Sequence, residues 1–403
     1  DIKIFMNHKK ENIKGAELVV YTAAVKDDNE ELIAAKKNNI PAVERSVMLG
    51  LLTNQYKEKI AVCGTHGKTS TTSMITQILM YADLDPSAVI GGKLPCINSN
   101  SRSGNSDIIV CEACEYVDSF LELSPSISVI TNVDADHLDY FGSIENIKKS
   151  FNKFANKTSK AIIVNGDDKN TIDCIKDITI EKITFGLSKD NDYYADNIKQ
   201  LDRIKSSFTL MNKSKKIAEI TLNVPGRHNI YNALAASAVC HYLGVDPKVI
   251  ESALENFFGV HRRFEILGHP KGITIVDDFA HHPTELRAVL SSAMKMNFNK
   301  VWAVFQPHTY SRTYMLLDDF AKALSIADRV VLSEILPVRE TNIYNIHSKD
   351  LADKILNCTC LDTFEQITDF IENNATDGDL VLTLGGGNVY KCANMILERL
   401  KNS

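Results

Sequence analysis

Gly64-Thr65-His66-Gly67-Lys68-Thr69 stands between the apolar run Ile60-Ala61-Val62-Cys63 and a stretch in which Met74, Ile75, Ile78 and Leu79 recur at helical spacing. The run before it reads as a short buried strand and the stretch after it as a helix. Strand, glycine loop, Lys-Thr and helix, in that order, form a cradle for a triphosphate. Loop amides and the positive helix end face the phosphates, Lys68 reaches the β and γ oxygens, and a hydroxyl holds magnesium. The loop is shorter than the full G-x-x-x-x-G-K-[ST] pattern. A glycine turn that merely starts a helix would account for the glycines but not for the Lys-Thr pair.

Six further segments sit where strands end or helices begin. Glu112 lies just past the strand-like Ile108-Ile109-Val110, where ligand groups gather in open parallel sheets. A carboxylate there can bind the magnesium that bridges β- and γ-phosphates. Glu115 and Asp118 suit a blander role, as acids at a helix start. After Ser128-Val129-Ile130 come Asp134, Asp136, His137 and Asp139, a cluster that suggests a metal or phosphate site with His137 in it. Asn229 and Asn232 share a face on the first turn of an alanine-rich helix expected over 229–242, so their amides can reach a base or a phosphate. His261-Arg262-Arg263-Phe264-Glu265 sets paired guanidinium groups near a domain junction, suited to polyphosphate or carboxylate. The segment 277–285, with Asp278, His281 and His282, follows a strand and opens a helix at Pro283, and 306–313, with Arg312, follows the next strand. Each alone is ordinary loop chemistry; their common placement makes them one site.

Strand and helix signals alternate throughout, which implies an α/β fold of parallel sheets covered on both faces. Residues 1–57 read as half of a nucleotide-binding unit, with strands near 18–21 and 40–43 and helices over 30–37 and 46–52. Residues 58–258 read as a larger domain with strands at 108–110, 128–130 and 161–164 and a hairpin from 206–211 to 216–222. Residues 259–403 restart the alternation, with strands at 273–276, 301–305, 329–332 and 380–384 and a helix across 316–327. Residues 2–5 look like a strand from the middle of a domain, and with Asp1 in place of an initiator Met an upstream part is expected.

A net charge of −6 with no long basic stretch argues against nucleic acid as the main partner, while leaving room for a local cationic pocket. No run of 18 apolar residues exists to cross a membrane, and the amino terminus has no signal-peptide layout. The nine cysteines include one C-x-x-C, Cys111 and Cys114, and one C-x-C, Cys358 and Cys360, without a second pair to complete a zinc site. They read as reduced cytoplasmic thiols packed as small apolar residues.

Taken together and in order, G-T-H-G-K-T, D-H-L-D, R-H-N-x-x-N, R-R-F and D-D-F-A-H-H-P-T-E resemble the Mur ligase family of peptidoglycan synthesis over nearly the whole chain. The resemblance implies three domains: 1–57 as the remainder of a truncated Rossmann-like UDP-sugar-binding domain, 58–258 as a central P-loop-type ATP-binding α/β domain, and 259–403 as a Rossmann-like amino-acid-binding domain. It implies an ATP-dependent ligase of the branch that joins L-alanine to the lactyl carboxylate of UDP-N-acetylmuramate through an acyl phosphate, with Mg2+. Carried over to this sequence, ATP would be bound by Gly64, Thr65, His66, Gly67, Lys68, Thr69 and Ser70, and by Asn229 and Asn232. Thr69, Glu112 and His137 would hold metal. Arg263 and Asp278 would join Lys68, Glu112 and His137 in catalysis when the third domain closes. His281, His282 and Arg312 match positions near the incoming amino acid and the nucleotide.

The chain departs from the family's pattern in several places. The glycine-rich loop that receives the UDP sugar is absent, which corresponds to roughly 30 to 50 residues, about one βαβ unit. The acidic segment often reads E-A-D-E-S-D, whereas Cys114, Tyr116 and Val117 stand here. Thr309 replaces a frequent Arg, and Asn388 a frequent Asp. Two other readings remain open: a recycling ligase that attaches a whole tripeptide to the same sugar nucleotide, and a nucleotide-binding fragment without catalysis.

Overall fold

The computed structural model describes residues 2–23, 25–338 and 340–402, less the side chain of Asp139. Its strands form three sheets. In the first, β1 (Val19–Tyr21) and β2 (Ala42–Glu44) run parallel across the helix Glu30–Lys37. Asn29 caps that helix by accepting from the amides of Glu31 and Leu32, and Ala34, Ala35 and Ile13 make its small core. Among the described residues no strand pairs with 2–5, so the strand expected there does not form, and Ile2 and Ile4 stay exposed. A strand needs a ladder partner, and an apolar run alone does not supply one.

The second sheet is built from β3 (Glu58–Cys63), β4 (Ser87–Leu94), β5 (Ser99–Arg102), β6 (Ile108–Glu112), β7 (Ile127–Ile130), β8 (Ala161–Asn165), β9 (Glu181–Gly186), β10 (Tyr193–Gln200), β11 (Ser206–Asn212) and β12 (Lys215–Leu222). Their order is β12-β11-β10-β9-β8-β7-β3-β6-β4-β5. Pairing is parallel from β10 to β4 and antiparallel at both edges. The helices Lys68–Tyr81, Arg227–Tyr242 and Pro247–Glu255 share one hydrophobic core, and Ile144–Asn156 and Lys169–Ile175 share another. Met74, Ile75, Ile78 and Leu79 are fully buried, each contributing about 1.5–3 kcal/mol. The small buried residues Ala233, Ala235, Ala236 and Ala238 let Arg227–Tyr242 lie close to Lys68–Tyr81. That packing brings the amino end of the alanine-rich helix beside the glycine loop.

The third sheet has the order β13 (Glu265–Gly268), β14 (Thr274–Asp278), β18 (Leu380–Leu384), β15 (Val301–Phe305), β16 (Arg329–Leu332), β17 (Cys358–Cys360). Only β13 is antiparallel. Asp278 and Phe305 both lie opposite Leu384, so the loops leaving β14, β15 and β18 emerge together. All nine cysteines are free. Five are buried as expected of small apolar residues, whereas Cys96 and Cys114 are exposed. Among the described residues no helix is long and apolar enough to cross a membrane.

Candidate active site

Register brings the chemistry together. Val62 on β3 lies opposite Glu112 on β6, and Cys63 lies opposite Ile130 on β7, so the loops leaving these strands meet at one sheet edge. After β3 the chain turns through Gly67 at φ 84°, a left-handed backbone open to glycine without strain, and Lys68 begins the helix. The exit of β7 clamps this loop from behind. Asn132 Oδ1 accepts from His66 N at 2.8 Å, its Nδ2 donates to His66 O at 2.9 Å, and Thr131 Oγ1 donates to His66 O at 2.6 Å. A loop held this firmly presents its amides to an anion without first having to order.

Lys68 Nζ donates to the carbonyls of Gly64 at 2.6 Å and Thr65 at 3.1 Å, and to Glu115 Oε1 at 2.9 Å. Glu115 therefore does not act merely as an acid at a helix start, the role its sequence position suggested; it is buried against the cradle lysine. Thr69 Oγ1 donates to Glu112 Oε1 at 3.0 Å, and Gly91 N donates to Glu112 Oε2 at 2.7 Å. A hydroxyl and a carboxylate converging on one point form an oxygen set that suits a hard cation such as magnesium. Among the described residues no three His, Cys, Asp or Glu side chains could hold a metal ion by themselves. A cation at Glu112 would thus complete its shell with phosphate oxygens and water, as magnesium commonly does. His137, at φ 51°, donates its amide to Asp136 Oδ1 at 2.8 Å, and its ring lies 4.8 Å from that of Tyr116.

A cavity of about 1120 Å³ runs from the cradle to the third sheet's domain. Thr65, His66, Gly67, Lys68, Thr69, Ser70, Glu112, His137, Asn229 and Asn232 line it from one side, and Arg263, Asp278 and His282 from the other. Gly64, His281 and Arg312 do not line it. Asn232 Nδ2 donates to Asn229 Oδ1 at 3.0 Å and its Oδ1 accepts from Thr71 Oγ1 at 3.2 Å, which ties the two helix starts together. The cavity also has an apolar wall, including Phe185, Val224, Tyr231 and Phe257, suited to a flat ring. Sequence gave no signal for it, because ordinary core residue types carry no chemical motif. The Tyr231 hydroxyl donates to Asp167 at 3.0 Å, and burial together with that carboxylate pushes its pKa up to about 12.

The paired guanidinium groups separate in the fold. Arg262 turns inward, with Nε donating to Asp277 at 2.9 Å and Nη1 to Gly387 O at 2.9 Å, while Arg263 lines the cavity. Asp278 accepts from the amides of Phe264 at 2.7 Å and Ala280 at 2.8 Å. His282 caps the helix Pro283–Ala293 in a capping box with Glu285. His281 lies with its ring 5.9 Å from that of His308. Burial, with Arg312 and His281 nearby, holds His308 below the usual histidine range. His308 Nδ1 and Asn388 Oδ1, on the loops leaving β15 and β18, and Arg312 Nη1, in the helix Tyr310–Met315 that follows β15, are buried without hydrogen-bond partners among the described residues. An unmet buried group costs about 1–3 kcal/mol, so such atoms mark a place where a ligand can supply partners. His308 lies in the segment 306–313, where its residue type alone does not distinguish it from the other polar residues.

Residues 62–240 match the Mur ligase middle domain, 262–387 the Mur ligase, glutamate ligase domain, and 1–57 the Mur ligase family, catalytic domain. A UDP-N-acetylmuramate–L-alanine ligase from Acetivibrio thermocellus is 45% identical over 404 residues, spanning 98% of this chain and 86% of that protein. The chain belongs to the Mur ligase family. A UDP-N-acetylmuramate–L-alanine ligase from Clostridium botulinum strain Okra is 44% identical over 98% of this chain and 88% of its own length. The solved UDP-N-acetylmuramate-alanine ligase MurC of Thermotoga maritima superposes with a TM-score of 0.81 at 30% identity, covering 100% of this chain and 89% of that one. A murein peptide ligase from Psychrobacter arcticus reaches 0.68 at 25% identity, over 98% and 88% of the two chains. The second and third sheets are thus the Mur ligase middle and glutamate ligase domains, and the large cavity lies between them.

Proposed function

We propose that this Mur ligase joins L-alanine to the lactyl carboxylate of UDP-N-acetylmuramate at the expense of ATP, in the cytoplasm. The observation that carries this reading is 45% identity over 98% of the chain to a ligase of that name. Under it, residues 1–57 belong to the sugar-nucleotide domain, 58–258 hold ATP and 259–403 receive the amino acid.

A carboxylate acylates poorly, so its oxygen first attacks the γ-phosphorus of ATP, and ADP leaves. The neutral amine of L-alanine then attacks the acyl carbon, and the tetrahedral intermediate expels phosphate to leave the amide. Lys68 and the loop amides would hold the β/γ oxygens, and Arg263 would add a second cation from the opposite wall. Asn229 and Asn232 would contact the nucleotide beside the apolar wall. Thr69, Glu112 and His137, which all line the cavity, would hold magnesium, which when bound neutralises charge on the phosphates. Arg312 Nη1, a buried donor without a partner among the described residues, suits the amino acid's carboxylate, and Asn388 Oδ1 suits its nitrogen. Alignment and preorganised charge supply most of the acceleration.

The test is to incubate the intact protein with ATP, UDP-N-acetylmuramate and either L-alanine or the tripeptide used by recycling ligases. ADP release with L-alanine is expected; release with the tripeptide alone would overturn the assignment. Lys68→Ala should lower turnover at least about a hundredfold, the scale of losing one preorganised charge contact. Near-normal turnover in that variant would remove the cradle from the mechanism.

A further inference from the structure

Lys68 has three N–H donors, and all three are committed: to Gly64 O at 2.6 Å, Thr65 O at 3.1 Å and Glu115 Oε1 at 2.9 Å. Glu115 Oε2 also lies 2.9 Å from Nζ, is buried, and makes no hydrogen bond of its own among the described residues. The two side chains are 15% and 3% exposed, so the pair sits away from water, where either charge alone would be costly. An ammonium bound this way cannot give its full strength to a phosphate, and a triphosphate in the loop would bring several negative charges toward a buried carboxylate.

We propose that Glu115 is the resident counter-ion of the cradle: it neutralises Lys68 while the loop is empty and yields it to the β/γ-phosphates when nucleotide enters. The inference rests on the ATP-binding reading above. It makes Glu115 a positioning residue that stabilises the empty protein and opposes nucleotide, two expressions of one coupling.

Glu115→Gln keeps the shape and removes the charge. By calorimetry the variant should bind Mg·ADP at least about fivefold more tightly than the unaltered protein, the low end of ordinary site coupling. It should melt below the unaltered protein when empty, and that gap should narrow at saturating Mg·ADP. Unchanged affinity, with the same melting deficit in both conditions, would make Glu115 an ordinary structural partner and overturn the proposal. If the variant does not fold, a crystal of the unaltered protein with a nonhydrolysable ATP analogue decides. Nζ is expected to leave Glu115 for phosphate oxygens. Nζ still paired to Glu115 with the phosphates in the loop would overturn the inference alone; an analogue seated outside the loop would overturn the ATP reading with it.

Discussion

Asp278 ends β14 with 5% of its surface exposed, and burial pushes its carboxyl up from an ordinary 3.8 to about 6. The amides of Ala280 and Phe264 and the charge of Arg263 oppose that rise, and Asp277 adds to it. An acid that holds its proton more tightly when folded adds stability below its unfolded pKa, and loses it as pH rises through the folded value. Asp278→Asn does not titrate, so its stability should gain on the unaltered protein as pH rises from about 4 to 7, by at most about 3 kcal/mol. Asp277, also pushed up by burial, titrates in both proteins and largely cancels. Urea unfolding at several pH values checks this; parallel stability curves for the two proteins would show that Asp278 is not held protonated by its surroundings. At this scale Glu112 was legible because it ends a buried strand, whereas Glu115 was not. The segment beyond it runs through Val117 at φ 49° and Asp118 at φ 59°, and a β-branched valine does not announce left-handed backbone.

The strand β4 shows what a pattern of apolar runs leaves out. Gly91 and Gly92 interrupt it, so it does not read as a strand, yet it supplies the amide that holds Glu112. Glycine inside a strand often marks a close approach, and here a Cβ at Gly91 would lie 2.4 Å from Glu112 Oε1. Gly91→Ala should therefore swing the carboxylate aside rather than unfold the sheet, because the obstacle is the end of a flexible side chain. Stability should fall by about 1 kcal/mol and turnover by at least about tenfold, with a higher Mg2+ requirement. Melting curves and a Mg2+ titration of activity test this; an unchanged Mg2+ requirement would exclude Glu112 from the metal site. The strands with uninterrupted apolar runs, such as β3, β7, β8, β15 and β18, could be placed from sequence within a few residues. The polar β5, Ser-Asn-Ser-Arg, and the short β17, Cys-Thr-Cys, form because a neighbouring strand offers them a ladder, which lies outside their own residues.

At the scale of the molecule, the cavity is divided between two domains joined by a thin linker. Gly259, Val260, Arg263 and Phe264 line the large cavity, while Phe258 and Ile266 line a second cavity of about 570 Å³ together with Arg203. Arg203 crosses that second gap, stacking 5.1 Å from Phe298. The linker is anchored to the middle domain through His261 N, which donates to Lys93 O at 3.0 Å, and it bends at Gly259, Arg262 and Phe264, all with positive φ. An arrangement with a bonded pivot and open space on both sides suits a closing motion that carries Arg263 and Asp278 onto nucleotide held by the middle domain. That division of labour makes Arg263→Ala differ in kind from Lys68→Ala. Losing Arg263 should leave Mg·ADP affinity within a few-fold, because the cradle stays intact, yet lower turnover by about a hundredfold, because its charge acts only in the closed state. Calorimetric ADP binding beside steady-state rates separates the two effects. If affinity and turnover fell together by the same factor, Arg263 would already be part of the open nucleotide site, and closure would not be what completes the catalytic set.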